Sequence, residues 1–364
     1  MHICFIGDTK SIHVVKWAQY FARKDYRVSL ISDRENKIDG VETFDIGECL
    51  SGVYISYLSA TSQIYKKRNA IKKILRKIKP DIIHAHYATN YGFLAAISGY
   101  RPFILTLHGS DILVDYSRNT LSKFFVNYAI KKADVVTSPS KTITQKVAPL
   151  RTNDVHTVQY GVDTNKFCRS KDVIISDKEK TVISTRHLTD KYDVKILINA
   201  IPLILDKVPD ARFLIVGEGE KRPLFETEIK KMGYHERVEF LGAVPNEKMP
   251  DVLNKASIYV STSPSDGLSI SLLEAMACGL FPIVTDISGN REVIIDGTNG
   301  ILFPAGDVGK LGESIISVLN NKESISSTLQ KNQAIVEKEF SQEKNLARVE
   351  SIYRKIYETG EGII

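Results

Sequence analysis

Two carboxylates, Asp266 and Glu274, bracket the start of an apolar segment in the stretch SPSDGLSISLLEAMACG. Between them runs a turn of small residues, with Gly267, Leu268, Ser269 and Ser271 placed to offer outward N–H groups. A helix that begins in such a turn presents N–H groups without intrahelical partners at the positive end of its dipole. That is anion-binding chemistry. The flanking carboxylates add acceptors for hydroxyl groups, so a ligand that joins phosphate to polyol, a nucleotide sugar, would use both features. A plainer reading competes: Ser271-x-x-Glu274 fits a capping box, with Ser271 as N-cap and Glu274 at N3, and Glu274 would then only close the helix end.

Cations stand where such an anion needs them. Arg186 and Lys191 follow the apolar run KTVISTRHL, on a loop at a strand's carboxyl end. Arginine brings a forked, permanently charged donor set suited to phosphate oxygens, and lysine adds a point charge. LTLHGSD sets His108 directly after another apolar run. HAHYATN supplies His84, His86 and Tyr87; two histidines two residues apart share a strand face, but no third ligand accompanies them, so no metal is expected. Gly217-Glu218-Gly219 is not a dinucleotide fingerprint, because Arg222 occupies the third glycine position. It reads as a strand-end turn. Gly7-Asp8 closes the first apolar run.

The elements that must position these residues alternate. HICFIG, RVSLIS, DIIHAH, PFILTLHG, DVVTSPS and VHTVQYG are strand-like, with helical segments such as Ser11–Lys24 between several of them. The rhythm restarts at KTVISTRHL and continues through ARFLIVGEG, RVEFLGAV, ASIYVSTSP and LFPIVTDIS. Strand–helix alternation predicts parallel sheets covered on both faces. Two such series predict two doubly wound α/β domains that bind ligand at the carboxyl ends of their strands. The chain has 364 residues, enough for two domains of ordinary size. Its formal charge of +6 is mildly basic and argues against a nucleic-acid partner. Four scattered cysteines with no C-x-x-C pair suggest reduced thiols. No apolar run approaches the roughly 20 residues of a membrane span, and no leader peptide is evident, so a cytoplasmic protein is expected.

The run from Asp266 through Glu274, Ala275, Met276, Ala277 and Gly279 to FPIVTDISGNREVI resembles the E-x7-E signature of retaining GT-B glycosyltransferases, family 4 in particular, with Asp in place of the first Glu. The resemblance implies two Rossmann-like domains facing a central cleft. Residues 1–165 would bind the acceptor, 166–341 the nucleotide sugar, and a final helix of about 342–364 would pack back on the first domain. It assigns Glu274 to the donor ribose, Asp266 to hydroxyls of the transferred sugar, and Arg186 and Lys191 to the diphosphate. His108 lies close to the sugar, Gly7 and Gly217 sit in loops near the donor phosphate and donor, and backbone groups around Ala243 and Val244 contact the nucleobase. YGVDTNKF, followed by RSKDVIISD, resembles the family's interdomain linker. The implied reaction retains anomeric configuration and takes no metal or other cofactor. UDP is the default nucleotide, and the acceptor a glycan or lipid-linked glycan of the cell envelope.

Residues 65–79, YKKRNAIKKILRKIK, are strongly basic without a carboxylate. They read either as a surface helix packed by Ile71, Ile74, Leu75 and Ile78, or as a peripheral contact with anionic lipid at the inner face of the membrane. Three alternatives to a transferase remain: a nucleotide-sugar epimerase of the same fold, a donor-binding subunit without catalysis, and, least supported, a nicotinamide dehydrogenase.

Overall fold

The structure, a computed structural model, describes residues 1–47, 57–169, 180–321 and 326–359. The polar stretch expected after YGVDTNKF lies largely outside them. The chain forms two compact units, residues 1–160 with 345–364, and residues 161–344.

In the first unit, β1 (His2–Ile6), β2 (Arg27–Ser32), β3 (Glu42–Asp45), β4 (Ile82–His86), β5 (Phe103–Thr106), β6 (Val135–Ser138) and β7 (Val155–Thr157) form a parallel sheet ordered β3-β2-β1-β4-β5-β6-β7. Side chains of successive strand residues leave opposite faces. Cys4 and Ile6 join one core and Ile3 and Phe5 the other. Over Cys4 and Ile6 pack α2 (Tyr57–Ile78), α3 (Phe93–Ser98), α5 (Thr120–Lys132) and α6 (Lys141–Val147), with the short α4 (Tyr116–Arg118) beside α5. Over Ile3 and Phe5 pack α1 (Ile12–Ala22) and the last helix, α13 (Gln342–Thr359). Leu346, Val349, Tyr353 and Ile356 of α13 are buried there. Glu350 accepts hydrogen bonds from Lys24 Nζ, the Tyr26 hydroxyl and Arg354, each at 2.9 Å. Those bonds, Lys24 foremost, hold its pKa down to about 2 against the effect of burial.

The second unit repeats the plan. Its strands are β8 (Thr181–Thr185), β9 (Arg212–Val216), β10 (Val238–Gly242), β11 (Ile258–Ser261), β12 (Phe281–Thr285) and β13 (Ile301–Phe303), in the order β10-β9-β8-β11-β12-β13 and all parallel. One face is covered by α7 (Lys195–Lys207), α8 (Arg222–Lys231) and α11 (Val308–Asn320). The other is covered by α9 (Met249–Leu253), α10 (Ile270–Ala277) and the end of α12 (Ser326–Glu339). The chain leaves and re-enters this unit through one backbone clasp. Val162 N–H donates to Phe340 O and Gln342 N–H to Val162 O, both at 2.8 Å. This clasp draws residues 161–165 into the second unit, so the division falls after Tyr160 instead of after residue 165.

Each sheet has a point where strand order reverses, between β1 and β4 in the first unit and between β8 and β11 in the second. Open parallel sheets bind ligands outside the carboxyl ends of their strands at such points. The residues singled out by sequence gather at both.

Candidate functional site

In the second unit the loops after β8 and β11 meet across the reversal. Arg186 donates from one guanidinium NH2 to Asp266 Oδ2 at 2.6 Å and from Nε to the Ser261 hydroxyl at 3.2 Å. Its charged carbon lies 5.1 Å from the centre of the Tyr192 ring, and Lys191 Nζ lies 5.2 Å from the same centre. Tyr192 is thus a shelf shared by both cations. Burial works against charge on Arg186, the Tyr259 hydroxyl and Asp266 work for it, and the net shift of its pKa is upward. Arg186 is therefore a fixed cation, while Lys191 is exposed on a short turn (Asp190–Tyr192).

Glycines set the close packing of this region. Gly217 has φ +135°, and a Cβ there would collide with the carbonyl of Arg186. A Cβ at Gly219 would collide with the carbonyl of Leu188. The turn after β9 thus lies directly against the Arg186 loop. Gly217 N–H also donates to Gly242 O at 2.8 Å, which brings Ala243 and Val244, just past β10, beside the same strand end. Gly267 is different, since a side chain there would enter open space.

Helix α10 starts at Ile270, and its N-cap is Ser269, whose hydroxyl accepts from Leu272 N–H. Ser271 is therefore not the cap, and Glu274 stands two positions beyond N3. The capping-box reading fails by register: Ser269 has extended backbone, φ −77° and ψ 123°, while Ser271 is already helical. Glu274 is half-buried in the second turn. The loop leading to the cap is fixed from β12: the Thr285 hydroxyl donates to Ser263 O at 2.6 Å, and buried Asn290 donates to Thr285 O at 2.8 Å. Gly289 passes so near the carbonyls of Asp266 and Gly267 that any Cβ would overlap them. Sequence reading missed Gly289 and Tyr192. The signal for Gly289 lay in the ISGN turn after a strand; Tyr192 carried none.

In the first unit the reversal point opens into a cavity of about 770 Å³ lined by Asp8, Lys10, Arg34, His86, Tyr87, His108 and neighbours. Gly7 sits beneath it, where a Cβ would lie tight against Val14 at 3.1 Å and in ordinary contact with His86 at 3.5 Å. The imidazoles here are packed together. His84 and His86 stack at 4.7 Å, and Trp17 meets His86 edge-on. His84 bonds Tyr353 through Nδ1 and the Thr106 hydroxyl through Nε2 at 2.6 Å. With both nitrogens engaged, His84 is no metal ligand, and His-x-His resolves into a core residue and a site-facing one. His86 Nδ1 lies 3.2 Å from His108 Nε2. His86 Nε2 is buried without a partner, which is least costly for an unprotonated nitrogen. His86 then carries its proton on Nδ1 and donates to His108, and His108 carries its own proton on Nδ1.

Burial, with neighbouring imidazoles adding to it, lowers the pKa of His84 and His108 to about 3 and of His86 well below 6.5. Burial first, then Lys16, lowers His13 to about 4, and its ring stacks on Tyr160 at 4.1 Å. Tyr87 holds a positive φ of 79°, a costly conformation for an aromatic residue and one concentrated at functional sites. Its hydroxyl donates to Asp115 at 2.8 Å, and its ring meets His108 edge-on. Asp111, beside His108 in sequence, is fully buried and accepts from the N–H groups of Ala88, His108 and Gly109. It shapes the loop and does not face the cavity.

Two sequence families match this chain: glycosyl transferases group 1 over residues 169–338, and glycosyl transferase 4-like over residues 2–140. An uncharacterized glycosyltransferase of Methanocaldococcus jannaschii is 29% identical over 78% of this chain and 78% of its own length. N-acetyl-alpha-D-glucosaminyl L-malate synthase of Bacillus anthracis is 29% identical over 75% of this chain and 74% of its own. Among solved structures, Anabaena HepE in complex with UDP superposes with a TM-score of 0.79 at 17% identity, covering 98% of this chain and 100% of that one.

Proposed function

The chain belongs to the GT-B glycosyltransferases, in the group 1 and 4-like families, and on that premise we propose that it moves a hexose-type sugar from a nucleoside diphosphate to an acceptor hydroxyl with retention at the anomeric carbon. The observation that carries this reading is the Arg186–Asp266 pair across the β8/β11 reversal, with Lys191 sharing the Tyr192 shelf. A fixed cation beside a hydroxyl acceptor suits the diphosphate–sugar junction of such a donor. As the glycosidic bond breaks, negative charge grows on the departing phosphate. Arg186, Lys191 and the first N–H groups of α10 stabilise it, and this preorganised charge does the work without a metal. Glu274 binds the ribose, and backbone at Ala243 and Val244 receives the base, with UDP as the nucleotide.

The first unit takes the acceptor. His108 is neutral at working pH and offers a hydrogen bond from Nδ1 to a hydroxyl; it does not supply a charge. The acceptor's proton passes to the departing diphosphate. The acceptor is a glycan or lipid-linked glycan.

A thermal-shift panel of nucleoside diphosphates and nucleotide sugars tests the donor reading, since a ligand of the folded state raises its melting temperature by mass action. UDP and UDP-sugars should stabilise the protein. In Glu274→Gln that stabilisation should fall by at least tenfold in apparent affinity; because Glu274 is not in a capping box, the change cannot be attributed to a lost cap. Unaltered UDP affinity in the variant removes Glu274 from the site. Donor incubated without acceptor should return no isomerised sugar, which an epimerase would produce.

A further inference from the structure

We propose that Tyr87 is the platform on which an uncharged sugar ring of the acceptor lies, and so a residue that sets which acceptors are taken; this rests on the reading that the first unit binds the acceptor. The main chain holds Tyr87 in a conformation that side chains rarely adopt, φ 79° and ψ 111°. It is pinned from both directions. Its N–H donates to Thr106 O at 3.0 Å and its carbonyl accepts from Gly92 N–H at 2.8 Å. The next N–H, of Ala88, donates to buried Asp111 at 3.0 Å. Ala88–Gly92 then form a π-helical turn, and Asp111–Asp115, packed against it, form another. Such turns are rare and gather at functional sites, as strained backbone does.

The side chain is held by its tip. The Tyr87 hydroxyl donates to Asp115 at 2.8 Å and accepts from the Ser110 hydroxyl at 3.3 Å, and Asp115 also accepts from the Thr89 hydroxyl at 3.0 Å. Tyr87 lines the cavity of about 770 Å³, whereas Asp115 and Ser110 do not. What Tyr87 shows the cavity is therefore its ring, set edge-on to His108 with the ring centres 5.7 Å apart. A ring whose polar tip is already satisfied offers a flat, negatively polarised face. The C–H groups on the flat side of a sugar ring complement such a face, and the sugar's hydroxyls are left to reach His108.

The charge around this platform selects against an anionic acceptor ring. Asp8, Asp33 and Glu35 line the cavity against Lys10 and Arg34. Arg34 is engaged by Asp8 at 3.6 Å. Asp33 is buried with its counter-ion, Lys67 of α2, at 3.1 Å, and it also accepts from the Tyr91 hydroxyl. No excess of positive charge waits here for a phosphate or a carboxylate. Carboxylates, a guanidinium and the Asn90 amide instead set hydrogen-bond acceptors and donors side by side, which is what a ring of hydroxyls needs.

Trp17 is the only tryptophan of the chain, and it meets the cavity-lining His86 edge-on at 5.0 Å, so its fluorescence reports occupancy. The whole protein is titrated with the methyl glycosides of glucose, galactose, mannose and N-acetylglucosamine, and with glucose 6-phosphate and glucuronic acid. At least one glycoside should give a saturable change, and the two anionic sugars should bind roughly tenfold more weakly than it does. Tyr87→Leu keeps apolar bulk without a flat face and should weaken that glycoside roughly tenfold. Tyr87→Phe keeps the ring and should recover most of the binding. The UDP-induced thermal shift should be the same in all three proteins, which a merely structural role for Tyr87 would not give. An anionic sugar that binds as tightly as the glycosides overturns the proposal, and so does a Trp17 signal that no glycoside moves. Leu and Phe variants that lose binding equally, or not at all, also overturn it. The comparison of charged with uncharged sugars needs no variant, so it decides even where Tyr87→Leu fails to fold. The UDP shift reads the donor side alone, so failure of sugar binding with that shift intact sinks the platform and leaves the donor reading standing.

Discussion

The two strand-order reversals of this molecule differ in the buried groups at their centres, an ion pair in one and neutral imidazoles in the other. In the second unit the site is charged in advance: Arg186 is an obligate cation locked to Asp266 and Ser261, on a loop pressed against Gly217 and Gly219. In the first unit the cavity is also lined by the charged Asp8, Lys10 and Arg34, but the imidazoles beside them are so buried that they stay uncharged. The difference matches the two halves of the proposed substrate pair. A diphosphate must be met by charge that is already in place, because reorienting dipoles during bond breaking raises the barrier. A hydroxyl is met by a neutral donor or acceptor of fixed tautomer, which His86 gives to His108.

The largest effect should come from breaking the charged side. Arg186→Ala should lower turnover about 10²–10³-fold, while circular dichroism shows an intact fold; near-normal transfer would refute the role of the arginine. Gly217→Ala should come next. Its methyl group would push the Arg186 loop by a sizeable fraction of an ångström, and a misplacement near 1 Å costs about 10²-fold in turnover. Stopped-flow or steady-state assays would show the loss, and the melting temperature should fall with it, because alanine at φ +135° is strained and its Cβ overlaps backbone. If Gly217→Ala works normally, the close approach of the two loops is not what positions the arginine.

The neutral side is sharpened by pH. His84 and His86 have folded pKa values below the ordinary 6.5, so the unfolded chain binds more protons on acidification, and stability must fall. The loss begins as the pH drops below about 6.5, at roughly 1.4 kcal/mol per pH unit for each histidine, and continues toward the folded values. Chemical denaturation between pH 7 and pH 5 measures it. Over the same range kcat should show no limb from His108, whose folded pKa is about 3. A limb near pH 6.5 that vanishes in His108→Gln would overturn the neutral-donor role. The smallest effect is one of stability alone: Glu350→Gln should cost about 2 kcal/mol by weakening its bonds to Lys24, Tyr26 and Arg354. Glu350 is held below the unfolded carboxyl range, so its contribution is present above that range and disappears as the pH falls through about 2.

The two alternating series, and with them two parallel sheets, were legible in the amino-acid order alone. Apolar runs bounded by turn residues survive translation into structure because burial on both faces of a parallel sheet demands them. The exposed strand β3 was not legible, since ETFD has no apolar run. Nor was β13 (Ile301–Phe303). Asp266 and Arg186 were legible as types in plausible loops. Their ion pair was not, because it joins strands 80 residues apart whose adjacency comes from sheet order alone. The cap of α10 shows the limit at shorter range: Ser269 and Ser271 are chemically equal candidates, and only backbone dihedrals choose between them. The protonation of His108 depends on His86 and His13 from other elements, so tertiary packing decided it.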